Sequence, residues 1–259
     1  MTVLFCEMTR EQIRRLAPTA TAVLPTAAIE QHGPHLPVWT DSLVCETVAR
    51  RAAELAARQA SIVVAPILCF GSSHHHYPFP GVLSLTSATF TAAVTEVREG
   101  LVGSGFRKLV VLNGHGGNSN LIGVIGQDLV NRLGHPVTVA SADYWNIARA
   151  AIAESRVFPD GWVPGHAGLF ETALVLALRP DLVDRPALAG LVEAPGDAGL
   201  DVSLEGGTVQ EYGTWAAGPG YSDNPAAASE EAGRAGLDII VQRTADFLVA
   251  FHRLPAGGR

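Results

Sequence analysis

Lysine is almost absent from this chain: among 259 residues, Lys108 is the one lysine. Lys and Arg together number 18 against 25 Asp and Glu, for a formal charge of −7 with no basic cluster. A nucleic-acid partner, which needs a basic face, is therefore not expected. Cysteine is scarce too. Cys6, Cys45 and Cys69 are odd in number, widely spaced and without a CxxC, which argues against a disulfide framework and for reduced thiols in a cytoplasmic protein. No run of about 18 apolar residues exists for a membrane span, and the N-terminus shows no charged-then-apolar leader pattern. Two catalytic signatures are missing as well. There is no GxSxG elbow for a serine nucleophile, and no Gly-Lys-Ser/Thr to complete a phosphate loop.

What is present is an apolar chain, 47% hydrophobic, long enough for one well-buried domain over residues 1–259. Apolar runs read as strands at 21–30, 61–71, 108–114 and 136–145. Between and after them, helical spacing marks 41–59, 87–105, 120–134 and 169–180. Strands apolar throughout and separated by helices indicate an α/β fold, with a mostly parallel sheet and helices on both faces. Residues 181–225 are rich in Gly, Pro and acidic residues. They read as a long excursion with a short hairpin, before a C-terminal helix near 226–252.

Four segments carry polar chemistry against this apolar background. "AAIEQHGPHLPVWTD" (27–41) ends a strand with Glu30 and His32, which share a side in extended chain. Gly33 and Pro34 turn the chain, and Asp41 opens a helix. Read alone, Asp41 is a helix N-cap and His35 a loop hydrogen bond. Glu30 is harder to explain that way, because a carboxylate ending an apolar strand needs a partner or a metal. "NGHGGN" places His115 and Asn118 in a turn that is either a close approach to a ligand or a phosphate cradle. "GWVPGHAGLFET" holds Trp162, His166 and Glu171; by itself Glu171 complements a helix dipole. "FGSSHHHYPFPG" holds Ser73 and three histidines. In extended chain His74 and His76 share a side and His75 faces away, and substrate contact is their expected role. Three of the four segments follow parallel strands at their carboxyl ends, where ligands bind in open α/β sheets. Oxygen and imidazole donors without thiolate suit Zn²⁺, Mn²⁺ or Fe²⁺.

These motifs, in this order, resemble the creatininase family of metal-dependent amidohydrolases. The resemblance rests on "EQHGPHLPVWTD", "FGSS…FPGVLSL", "NGHGGN" and "GHAGLFET", with a weaker "GYSDNPAAASEEAG" before the last helix. It implies a three-layer α/β fold, two divalent ions per chain and a homo-oligomer, commonly a hexamer. Glu30, His32, Asp41 and His115 match metal ligands, Asp41 bridging. Trp162 and His166 match substrate-site positions, with His166 the proton-transferring histidine. Ser73, His74 and Asn118 are assigned to the same pocket. One position departs from the creatininase pattern. Where strict creatininases carry a ligand glutamate two residues after the histidine matched by His115, this chain has Gly117. Relatives with that glycine include peptidases acting on the mycofactocin precursor and formamide hydrolases, so those substrates stand beside creatinine as alternatives. Glu171 is expected to supply the missing carboxylate.

The resulting expectation is hydrolysis of a C–N bond in an amide or cyclic amide, with a metal-bound hydroxide as nucleophile. Two divalent ions against three carboxylates leave one positive charge to favour that hydroxide. Two other classes remain. A non-catalytic metal or small-molecule binder would lack the proton donor, and a nucleotide binder would need no metal.

Overall fold

The structure is a computed structural model that describes residues 3–159, 164–194, 202–204, 207–209 and 213–257. In chain order its elements are α1 (Arg10–Leu16), β1 (Thr21–Thr26), α2 (Thr40–Ala56), β2 (Ile62–Val64) and α3 (Ser87–Gly103). Then come β3 (Lys108–Asn113), α4 (Ser119–Gln127), β4 (Thr138–Asp143), α5 (Tyr144–Ser155), α6 (Leu169–Leu178) and α7 (Arg185–Ala189). The hairpin strands β5 (Val202–Leu204) and β6 (Gly207–Val209), α8 (Thr214–Ala217) and α9 (Glu230–His252) complete the chain.

β1 to β4 form one parallel sheet in the order β2-β1-β3-β4. Alternate residues of each strand serve opposite faces, as period two requires. Val23, Val64, Val110 and Leu112 join the core under α2, α5, α6 and α9. Ala22, Leu24, Leu109 and Val111 face the other side, toward residues of α3 and α4. Both faces are thus covered, as the apolar strand runs require.

The strand order fixes where a ligand can bind. The chain leaves β1 toward β2 through α2, and leaves β3 toward β4 through α4. The two crossovers diverge, so a crevice opens at the carboxyl ends of the adjacent strands β1 and β3. Glu30 and His115 follow those two ends.

Several element boundaries differ from the sequence reading. β1 stops at Thr26, and the chain reaches Glu30 as irregular backbone. β2 is three residues long, since Pro66 cannot donate to a ladder and pairing resumes only as an isolated bridge between Thr26 and Leu68. The helix expected at 120–134 is α-helical to Gln127 and then π-helical over Asp128–Arg132. The strand expected at 136–145 ends at Asp143, because Tyr144 and Trp145 begin α5. α1 and α5 had no counterpart in the sequence reading. α1 opens on a capping box between Thr9 and Gln12. The expected hairpin in the excursion is β5–β6, paired antiparallel.

Candidate metal centre

The crevice gathers the residues that the motifs scatter over the chain. Glu30 (1% exposed), His32 (0%), Asp41 (3%) and His115 (3%) are all buried. Asp41 lies in the first turn of α2, one residue inside the start, and its carboxylate does not cap the helix. It stands instead between the two histidines. His32 Nε2 is 3.1 Å from Asp41 Oδ1, and His115 Nδ1 is 3.0 Å from Asp41 Oδ2. His115 Nδ1 also lies 3.3 Å from Glu30 Oε2, and His32 Nε2 lies 3.7 Å from Glu171 Oε2. The five side chains form one continuous row: Glu30, His115, Asp41, His32, Glu171.

Backbone carbonyls fix which nitrogen of each ring carries hydrogen. His32 Nδ1 donates to the Glu30 carbonyl at 3.1 Å, which leaves Nε2 bare toward Asp41 and Glu171. His115 Nε2 donates to the Ser72 carbonyl at 3.1 Å, which leaves Nδ1 bare toward Asp41 and Glu30. Asp41 Oδ2 is a buried oxygen with no hydrogen-bond partner, although a ring nitrogen is 3.0 Å away. Lone pairs facing lone pairs in a buried site call for a cation or a proton between them. The electrostatics agree. Burial pushes both histidines down, but Asp41 and Glu171 around His32, and Glu30 and Asp41 around His115, raise each well above the usual histidine range. Burial lifts the Glu30 carboxyl, yet His115, His76 and His166 hold it well below the usual carboxylate range. Glu171 is pushed up by burial, a rise that His32 opposes.

Three sets of donors could each hold an ion, their ligand atoms lying within 4.8 Å of one another: His32, Asp41 and Glu171; Glu30, His75 and His115; and Glu30, His32 and His166. The donor set, oxygen and imidazole without thiolate, fits Zn²⁺, Mn²⁺ or Fe²⁺.

The wall opposite the carboxylates is built from imidazoles. Gln31, between Glu30 and His32, accepts from the Gly33 amide at 2.8 Å, so its NH₂ group is turned toward the imidazoles. It donates to His76 Nδ1 at 3.0 Å and to His166 Nε2 at 2.9 Å. The remaining nitrogens, His76 Nε2 and His166 Nδ1, each lie 3.5 Å from Glu30 Oε1. Burial, with His32 and His76 nearby, takes His166 well below the usual range, and burial takes His76 down to about 3. Trp215 of α8 closes this wall, its ring edge-on to His76 at 4.4 Å and to His166 at 5.4 Å.

The residues first assigned to substrate fare differently. His74 lines the crevice and is exposed, its Nδ1 3.5 Å from Ser84 Oγ. Ser73 is fully buried and donates its hydroxyl to Glu30 Oε2, so it holds a carboxylate in place. Asn118 is also fully buried. Its amide donates to the Ala27 carbonyl and to Asn113 Oδ1 and accepts from the Ser72 amide, tying together the segments after β1, β2 and β3. Neither Ser73 nor Asn118 is among the residues lining the crevice. Trp162 lies outside the described residues. The histidine triplet is a 3₁₀ turn, not extended chain, so the expected pairing of His74 with His76 gives way to one of His75 with His76, and exposed His74 lies at the rim. His35 bonds beyond its own loop, its Nε2 2.8 Å from Thr172 Oγ1 beside Glu171.

The "GYSDN" segment clamps the third motif. Ser222 Oγ accepts from the His166 amide at 2.8 Å, and Asp223 Oδ1 accepts from the Leu169 amide at 2.7 Å at the start of α6. Gly168 is glycine because a Cβ there would lie 2.3 Å from Asp223 Oδ2. Sequence reasoning missed Gln31 and Trp215; only the family-like motif hinted at Ser222 and Asp223.

Comparison with known proteins agrees with this geometry. A family model described as Creatininase, creatinine amidohydrolase, matches residues 6–248. The chain belongs to the creatininase family. Creatinine amidohydrolase from Pseudomonas putida is 32% identical to it over 254 residues, 91% of each chain. The mycofactocin precursor peptide peptidase of Mycolicibacterium smegmatis is 29% identical over 182 residues, 67% of this chain and 63% of the relative. A solved Zn–Zn form of a mutant creatininase superposes with a TM-score of 0.80 at 29% identity, covering 98% of this chain and 100% of the other. As a creatininase-family protein the chain shares the family's α/β architecture. Among its described residues, no helix is long and apolar enough to cross a membrane.

Proposed function

We propose that this protein is a dinuclear metal-dependent amidohydrolase that cleaves the C–N bond of an amide or cyclic amide. One observation carries the reading. Two buried imidazole nitrogens, each left bare by a backbone carbonyl on the other side of its ring, face opposite oxygens of one carboxylate. That is the arrangement two cations sharing Asp41 would require. Glu30 and His115 would hold one ion, His32 and Glu171 the other, with Zn²⁺, Mn²⁺ and Fe²⁺ the candidate metals. When bound, the ions supply Lewis acidity and ionise a water molecule near neutral pH.

The chain's own residues supply the rest. Ser73 fixes Glu30 through its hydroxyl. Gln31 occupies His166 Nε2, so the ring's hydrogen sits at Nδ1, on the side of the carboxylate. From there His166 hands a proton to the leaving nitrogen, and the proton that water loses on attack makes it good. General acid catalysis of this kind supplies about 10²- to 10⁴-fold. Trp215 covers the imidazole wall and limits the entry of bulk water. Glu171 takes the role that Gly117 cannot. A homo-oligomer in the cytoplasm, a hexamer by family resemblance, belongs to the same reading, and light scattering tests the assembly.

The test begins with metal analysis of the purified protein, which should find close to two divalent ions per chain. Glu171→Gln should retain one. A panel of creatinine, formamides and peptide amides should reveal chelator-sensitive turnover. Wild-type protein without bound metal, or turnover indifferent to chelation, would reject the proposal.

A further inference from the structure

The two ends of the donor row are not equivalent, and the difference lies in His75. We propose that His75 is a ligand of the ion held by Glu30 and His115, which turns that end into a closed, tight-binding position. This rests on the two-ion reading above and goes beyond it. The ligand atoms of Glu30, His75 and His115 lie within 4.8 Å of one another. The His75 ring is parallel to that of His115, with an angle of 8° and centroids 5.8 Å apart. His76 at 4.3 Å and Trp215 at 5.4 Å pack against it, so the ring is held from the outer side.

Gly117 explains why a histidine from another loop can serve here. A Cβ at 117 would lie 2.3 Å from the Ser72 carbonyl oxygen and 3.1 Å from His75 Cε1. The space a side chain would need is taken by the Ser72 carbonyl, by the His115 ring, whose Nε2 would lie 2.5 Å away, and by the edge of His75. Position 117 is closed to a side chain of its own, and the His75 imidazole lies beside that closed space.

The consequence is chemical asymmetry. Glu30, His75 and His115 form one donor set, to which Asp41 Oδ2, 3.0 Å from His115 Nδ1, would add a fourth protein ligand. The other set has His32, Glu171 and a share of Asp41, which makes three and leaves room for water and substrate. Four ligands characterise held ions, and three with an open position characterise reacting ones. Two imidazoles also shift preference at the first position from manganese toward zinc or cobalt. Substrate is thereby directed to the His32–Glu171 ion.

Titration of the full-length, metal-depleted protein with Zn²⁺ against a chromophoric chelator tests this. Wild type should bind two ions of unequal affinity. His75→Ala and the bulkier His75→Gln should weaken the tighter one at least roughly 10-fold, while His135→Ala, outside the crevice, should leave both unchanged. The first equivalent of Co²⁺ should give the intense visible absorption of a four-coordinate site in wild type and lose it in both His75 variants. Wild-type affinities and spectra in folded His75 variants would overturn the assignment. Absence of metal binding by the wild type would instead overturn the dinuclear reading itself.

Discussion

Two pairs of histidines share one crevice and behave oppositely. His32 and His115 lie against carboxylates, which raise their proton affinity despite full burial. His76 and His166 lie against a glutamine amide and other imidazoles and meet one carboxylate, Glu30, only at 3.5 Å, so burial prevails and takes them down. The side chain is the same and the burial is nearly so; the neighbours decide. One pair is built to share a positive charge with Asp41, Glu30 and Glu171. The other is held neutral, the state that the proposed proton transfer by His166 requires. A single polar residue, Gln31, separates the two behaviours, since its NH₂ group engages only the second pair.

The division can be broken most severely at Asp41. Asp41→Ala should release at least one ion per chain and lower kcat/KM by more than roughly 10³-fold, beyond the 10- to 100-fold typical of a supporting group. Metal analysis alongside kinetics checks both. His166→Gln strikes the neutral side instead. It should lower kcat by about 10²- to 10⁴-fold and leave both ions bound; a loss of metal would move His166 to the carboxylate side. Gln31→Leu sharpens the comparison. With ring orientation no longer set, kcat should fall by about 10- to 100-fold with little change in metal content, and the pH profile should move with it.

An effect on stability rather than turnover concerns His35, which lies behind the donor row and is brought down to about 4, by burial first and then by His32. In the unfolded chain it titrates at the ordinary value, so between pH 6.5 and 4 the unfolded state binds more protons. Stability from this group is therefore complete above pH 6.5 and declines as pH falls toward 4. Urea unfolding of wild type and His35→Gln across that window should show the wild-type margin shrinking by up to about 3 kcal/mol.

Part of the donor row was legible in the sequence: Glu30, His32 and His115 follow strand ends, whereas Asp41 and Glu171 read singly as carboxylates of helix first turns and joined the row through the family resemblance. Glu30 stood out as a charge that an apolar strand could not hide, and His115 as an imidazole within a glycine turn. The residues that orient those ligands were not legible. Gln31 was plain to see, but its partners lie 45 and 135 positions away, and nothing local marks an amide as the donor to two distant rings. Trp215 comes from a stretch without periodicity, so no pattern announced its placement over the site. Ser73 and Asn118 were assigned to the pocket with the motifs that carry them. The fold uses them to fasten a carboxylate and three loops. Element types were clearer than their ends. Tyr144 and Trp145 prolong an apolar run while the backbone has already turned helical.

The clamp made by Ser222 and Asp223 orders events in time. The donor row is translated between positions 30 and 171, but the hydroxyl and carboxylate that seat His166 and the start of α6 come some fifty residues later. A growing chain therefore carries every side chain of the row before it can hold His166 and Glu171 in register. The pocket acquires its final shape only when the segment ahead of α9 has emerged.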